Sequence, residues 1–187
     1  MEELKRCGWC LSSDLYKKYH DEEWGVPVYD DQKLFEFLIL ETFQAGLSWI
    51  TILKKRENFR LAFDQFDCQK IALYNETKIQ ELLQDSGIIR NPLKIRSAVT
   101  NAIAFTEVQK EFGSFSKYIW QFTDGKPIFN TAQHLKEVPA TTPLSDAISK
   151  DLKKRGFKFV GSTVVYAFIQ ATGMVDDHLA DCWKRKS

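Results

Sequence analysis

Leu34-Phe35-Glu36-Phe37-Leu38-Ile39-Leu40-Glu41-Thr42-Phe43-Gln44-Ala45-Gly46-Leu47-Ser48-Trp49-Ile50 is the stretch on which the fold turns. Residues 37–40 are continuously apolar. At helical spacing, residues 34, 37, 38 and 41 share one face, and 35, 39 and 42 another. A helix that is apolar most of the way round belongs at the centre of a helical domain, not on its surface. Glu41 continues the Leu34/Leu38 row. Its carboxylate either reaches water at the helix end or is held in an apolar pocket, where burial without a partner is costly or raises its pKa. Gly46 then permits a turn. Leu47 and Trp49 follow with little polar cover, and on a turn they form a contact surface.

Working outward, Asp30 or Asp31 can cap this helix, and a second helix follows over 48–60, carrying Lys54-Lys55-Arg56. Short amphipathic helices are expected at 67–73 and 76–85, the latter broken by Gly87. A long helix over 93–112 and another over 113–122 come next. Asp124-Gly125-Lys126-Pro127 is a turn, and 126–143 reads as loop. Ser145-Asp146 caps a helix running to about residue 155. A glycine-flanked hairpin, 156–161, leads to a last helix that starts at Ser162 or Thr163 and ends at Thr172-Gly173. Residues 7–30 read as irregular structure with short helical pieces, and a tail from Met174 carries Asp176, Asp177, His178 and Cys182 and closes on Lys184-Arg185-Lys186. The class expected is all-α, with 1–187 folding as one unit.

Composition narrows function. A chain of 187 residues suffices for one good-sized domain or two small lobes. The net charge of +1 means that any nucleic-acid surface is a local patch, not a global field. No apolar run reaches membrane-spanning length, so no membrane partner is expected. The first six residues lead into no apolar signal region. Four cysteines without an export signal point to reduced thiols or a metal, and the compartment expected is the cytoplasm.

Three constellations carry chemistry. Cys7-Gly8-Trp9-Cys10 is a bare Cys-x-x-Cys, but a redox pair of this kind sits at a strand–helix boundary that the sequence lacks. His178 and Cys182 lie one helical turn apart and can share a metal. Cys7 or Cys10, with His20, can complete a closed tetrahedral site that staples the two ends of the chain. The same residues also read as unrelated surface histidines and core cysteines, and His134 has no companion. The hairpin has the layout of a phosphate-binding helix–hairpin–helix, with Lys153, Lys154, Arg155 and Lys158 close by. A generic helix pair with a solvated basic face reads the same way. Trp9, Tyr16, Tyr19, Trp24 and Trp49 are stacking candidates or core.

Together these residues closely resemble the type I 3-methyladenine-DNA glycosylases of bacteria, within the helix–hairpin–helix glycosylase superfamily. The strings that carry the resemblance include Tyr19-His20-Asp21-x-Glu23-Trp24-Gly25-Val26-Pro27 and Gln44-Ala45-Gly46-Leu47-Ser48-Trp49-Ile50-Thr51. Leu152-Lys153-Lys154-Arg155-Gly156-Phe157-Lys158-Phe159-Val160-Gly161 and His178-x-x-x-Cys182 extend it across nearly the whole chain. The resemblance implies one structural zinc on Cys7, His20, His178 and Cys182, with Cys10 an extra thiol. It implies that Trp9, Tyr16, Tyr19, Glu41 and Trp49 line a pocket for an extruded base, with Glu41 the catalytic carboxylate. Gly46 and Leu47 would sit at the DNA, and Lys158 and Gly161 would belong to the phosphate-binding hairpin. Two departures from the wider superfamily matter. Phe159 stands at the first hairpin glycine, as in the type I pattern. Thr163 stands where bifunctional members carry a Schiff-base lysine, so no lyase activity is expected. Asp176, in a Val-Asp-x-His string, is a further candidate for stabilising the sugar cation. The activity implied is excision of 3-methyladenine from alkylated double-stranded DNA by a monomer, leaving an abasic site and releasing 3-methyladenine. A non-enzymatic zinc-stapled DNA-binding module is the competing reading.

Overall fold

The computed structural model describes residues 4–185. Met1-Glu2-Glu3 of the N-terminal stretch and Lys186 of the basic tail lie outside the described residues.

The helix read first is the centre of the protein. Helix α2 (Asp31–Gln44) is buried at every position from Leu34 to Phe43. It is preceded by α1 (Asp14–Glu22) and followed by α3 (Trp49–Ala62), α4 (Cys68–Ile71) and α5 (Glu76–Gln84). Then come α6 (Pro92–Phe112), α7 (Phe115–Trp120), α8 (Pro143–Lys154) and α9 (Ser162–Ala171). Helices α3, α6, α7 and α9 all pack on α2. Phe43 meets Phe59 edge to face at 4.9 Å, and Phe35 meets Phe105 in the same way at 4.9 Å.

Both aspartates at the start of α2 act as caps, but of different helices. Asp30 accepts from the Lys33 amide at 2.8 Å and caps α2. Asp31 reaches across to accept from the amides of Phe115 and Ser116 at the start of α7, each at 2.8 Å. Helix α6 begins with Asn91 as cap and Pro92 in its first turn, and stops at Gly113, whose φ of +82° suits glycine.

Two expectations need correction. Helix α8 starts earlier than Ser145-Asp146. Thr142 is the cap, its side chain accepting from the Ser145 amide at 3.1 Å, and the Ser145 hydroxyl oxygen in turn accepts from the Thr142 amide at 2.8 Å. Pro143 takes the first helical position, where its missing N–H costs nothing. The 126–143 stretch is also not wholly loop. Strands β1 (Ile128–Phe129) and β2 (Val175–Asp176) pair in parallel, tying the loop to the tail.

The two ends of the chain lie together. The Trp183 amide donates to the Lys5 carbonyl at 2.9 Å. Gly173 has φ +68°, and a Cβ there would stand 2.4 Å from the Val26–Pro27 backbone, so this close approach requires glycine.

Candidate active site

A cavity of about 430 Å³ opens beside the C-terminal half of α2. The N-terminal segment and α1 bring Trp9, Tyr16 and Tyr19 to it, α2 brings Glu41, and the start of α3 brings Trp49. Helix α9 and the tail supply Thr163, Tyr166, Gln170 and Asp177. The aromatic rings support one another: Trp9 meets Tyr16 at 5.0 Å and Trp24 at 5.0 Å, and Tyr19 meets Trp49 at 5.6 Å. The cavity therefore presents π-faces held in place by neighbouring rings.

Glu41 is 4% exposed and, among the described residues, accepts no hydrogen bond and pairs with no cation. Burial alone pushes its carboxyl up to about 8. The phenols of Tyr16 and Tyr19 are raised first by burial and then by the charge of Glu41, so they stay protonated and able to donate. Of the two readings of Glu41, the apolar pocket is the one realised.

Beyond Glu41 the chain leaves the helix. Gly46 takes φ +84°, and Leu47 stands half-out of the surface at 38% exposure. The turn is closed twice: the Leu47 amide donates to the Gln44 carbonyl at 2.7 Å, and the Gln44 side chain donates to the Leu47 carbonyl at 2.7 Å. At the hairpin, Gly161 caps α9 with no side chain to occupy the helix's first amides, and Lys158 is exposed. Phe159 adopts φ +56°, an unusual conformation for a non-glycine residue. The Val160 carbonyl is tied down by the Ser149 hydroxyl at 2.6 Å.

Cys7, His20 and Cys182 form a second cluster. Their donor atoms lie within 4.8 Å of one another, and all three residues are buried. The cluster is able to bind a metal, and its chemistry fits one. Burial, and then the neighbouring Cys182, pushes the Cys7 thiol up in the absence of a cation. Burial lowers the His20 pKa, which favours the neutral imidazole that ligates metals. His178 is 1% exposed, its ring centroid is 5.0 Å from that of His20, and its Nε2 is buried without a partner. Both imidazoles have Nδ1 held by a carboxylate, His20 by Asp21 at 2.8 Å and His178 by Asp176 at 2.7 Å. That arrangement leaves each Nε2 for a metal.

Of Cys7 and Cys10, it is Cys7 that lies in the cluster. Cys10 donates its S–H to the Cys7 carbonyl at 3.1 Å and stands outside the cluster. Asp176 is not among the residues lining the cavity. Its neighbour Asp177 is, with its carboxylate accepting from Tyr166, Gln170 and Asn130, each at 2.6 Å. The wall made by Tyr166, Gln170 and Asp177 was missed in the sequence, because nothing in their spacing sets them apart from core and cap residues.

The fold and the site define a class: a helical protein that can hold a flat, electron-poor ring among aromatic faces against a buried carboxylate. The chain belongs to the methyladenine glycosylase family, matched over residues 9–185. It is 50% identical over 179 residues to DNA-3-methyladenine glycosylase 1 of Escherichia coli (strain K12), covering 96% of each chain. It is 51% identical over 177 residues to the DNA-3-methyladenine glycosylase of Haemophilus influenzae, covering 95% of this chain and 96% of that one. Among solved structures, a crystal structure of 3-methyladenine DNA glycosylase I superposes with a TM-score of 0.95 at 49% identity, covering 97% of this chain and 100% of that one. The structure that describes 3-methyladenine recognition by the Staphylococcus aureus enzyme superposes with a TM-score of 0.94 at 35% identity, covering 100% and 99%.

Proposed function

We propose that this chain is a monofunctional DNA glycosylase that excises 3-methyladenine from alkylated duplex DNA. The observation that carries this reading is Glu41, a buried carboxylate without a cation, aimed into an aromatic cavity. The family and the named activity of its bacterial relatives support it.

A base inside the duplex cannot be reached, so it is extruded at a cost of a few kcal/mol. Leu47, on its closed turn, fills the gap, and stacking among Trp9, Tyr16, Tyr19 and Trp49 offsets the rest. Gly46, Lys158 and Gly161 meet the backbone, with the free amides of α9 facing a phosphate. N3-alkylated adenine carries positive charge in the nucleotide and leaves as a neutral base, so no strong acid is required. Aromatic faces favour the cation by about 0.5–2 kcal/mol per good contact. As the cationic base enters, it favours the ionised form of Glu41, whose proton leaves to solvent; the carboxylate then adds negative charge and an acceptor for the exocyclic amine, and neutral adenine gains less from both. Water then adds to the sugar cation and leaves an abasic site. Thr163, which lines the cavity, cannot form a Schiff base, so the strand stays intact.

Zinc on Cys7, His20, His178 and Cys182 would supply folding energy rather than chemistry, since a Cys₂His₂ set leaves no open position. Metal analysis should find about one equivalent per chain, and His178→Ala should lose both the metal and several degrees of Tm. A metal-free wild-type protein would remove the assignment. Among the described residues no helix is long and apolar enough to cross a membrane. The bacterial relatives support a cytoplasmic setting.

The deciding experiment is release of free 3-methyladenine from a methylated duplex. Tight binding of that duplex with no release would return the non-enzymatic module, a reading that leaves the buried Glu41 without a purpose.

A further inference from the structure

We propose that α6 is the spacer that sets the distance between the two DNA-facing turns, with Lys94 and Asn101 as its positioning residues. The inference rests on the glycosylase reading, which puts the Gly46–Leu47 turn and the α8–α9 hairpin on DNA.

Lys94 lies in the first turn of α6 and is 7% exposed, an unusual burial for lysine. Its ammonium donates to the Phe43 carbonyl at 2.9 Å and to the Ala45 carbonyl at 2.7 Å. Phe43 O is one of the terminal carbonyls of α2 that no intrahelical amide can reach. Ala45 leaves the helix with ψ 118°, and the turn through the left-handed Gly46 closes on the Gln44 carbonyl, which leaves the Phe43 carbonyl to another donor. A cation at a helix C-terminus also matches the helix dipole. Lys94 thus fixes the last turn of α2 directly before Gly46 and Leu47.

Asn101 stands two helical turns further along α6, on the same face, about 10 Å away along the axis. It is fully buried. Its Oδ1 accepts from the Lys158 amide at 2.7 Å, and its Nδ2 donates to the Lys158 carbonyl at 3.1 Å. Holding both backbone groups of one residue takes a primary amide, since a carboxylate accepts but cannot donate. The residue held is the one before Phe159, where the hairpin backbone turns left-handed. One rigid helix with its own caps therefore carries an anchor for each turn.

Both turns contact DNA in the proposed function, one in the stack and one on phosphate. Their separation must match the nucleic acid, and loops alone would let it drift. A misplacement of about 1 Å can cost about a hundredfold in rate.

The test compares Lys94→Met, Asn101→Ala and the double variant with wild type. Affinity is measured for free 3-methyladenine and for a duplex bearing a stable abasic-site analogue, and single-turnover excision is followed on a methylated duplex. Each single variant should bind the free base within about twofold of wild type and lose about tenfold or more in duplex affinity and excision. The double variant should lose little more than the worse single one, because the spacing is gone once either anchor is lost. Lys94→Arg, which keeps donors at that end, should recover part of the loss. Unchanged duplex affinity and excision would overturn the proposal. So would parallel loss of free-base binding, which marks a merely structural role, or losses that multiply in the double variant. If wild type releases no base, the glycosylase reading fails instead, and duplex affinity alone still decides the spacing.

Discussion

Glu36 and Glu41 sit on the same helix, and both are buried, yet they have opposite surroundings. Glu36 accepts from Arg56 Nε at 2.5 Å and from Arg60 Nε at 3.0 Å. Arg56 also donates to Glu23 at 2.7 Å and lies over the Phe37 ring, so the residue that ends α1 joins α2 and α3 in one ion network. Glu41 has no cation and no hydrogen bond among the described residues. A carboxylate with its charge answered inside the protein binds helices to one another. A carboxylate whose charge is unanswered faces a cavity and is free to answer a ligand's charge.

The strongest way to break this comparison is to exchange the consequences. Glu41→Ala should lower excision by about a hundredfold or more, in keeping with removal of a preorganised electrostatic group, while the protein stays folded. Glu36→Ala should leave excision per folded molecule close to wild type. Single-turnover base release measures both, and near-normal release by the Glu41 variant would end the distinction.

Stability should move the other way. Glu36→Ala leaves the buried Arg56 with Glu23 as its remaining carboxylate and should cost about 2–3 kcal/mol, lowering Tm by about 5–10 °C. A Tm within a degree or two of wild type would show that the network is dispensable.

The third prediction concerns pH. Below its ordinary value of 4.5, Glu41 is protonated whether the chain is folded or not. Between 4.5 and about 8 the unfolded chain has released this proton and the folded chain still holds it, so stability falls as pH rises through that window. Glu41→Gln carries no such group. It should therefore be more stable than wild type at pH 8 by roughly 2–4 kcal/mol relative to their difference at pH 5. A difference that does not change with pH, in denaturant melts, would mean that Glu41 is ionised in the pocket.

The smallest effect expected is at the edge of the site. Leu47→Ala should weaken binding to a duplex with an abasic-site analogue by about tenfold or less and leave free 3-methyladenine binding unchanged. Equal loss in both assays would move Leu47 from the DNA surface into the pocket.

Much of this site was legible because it is local. The apolar run before Glu41 set the carboxylate in line with a buried row without deciding between water and a pocket, a choice that only the resemblance made, and Gly46 announced the turn before Leu47. The five aromatic and acidic pocket residues lie within 41 positions of one another, and their motifs are long. What stayed hidden depends on pairs far apart in the chain. Arg56 finds Glu36 20 positions away, Lys94 finds Phe43 O 51 positions away, and Asn101 finds Lys158 57 positions away. No period connects such partners. The choice between Cys7 and Cys10 was open for the same reason, since spacing cannot say which sulfur turns inward. The start of α8 was missed because Pro143 reads as loop until a helix is seen to begin there.

The pairing of Lys5 with Trp183, and of β1 with β2, has a consequence for how the protein comes into being. Trp9 and Tyr16 are made long before Asp177 and Leu179, which line the same cavity. A nascent chain emerging from the ribosome therefore displays the aromatic half of a base-binding site without its opposing wall. The cavity is therefore incomplete until the segment from Val175 to Trp183 folds back on the loop and the N-terminal segment.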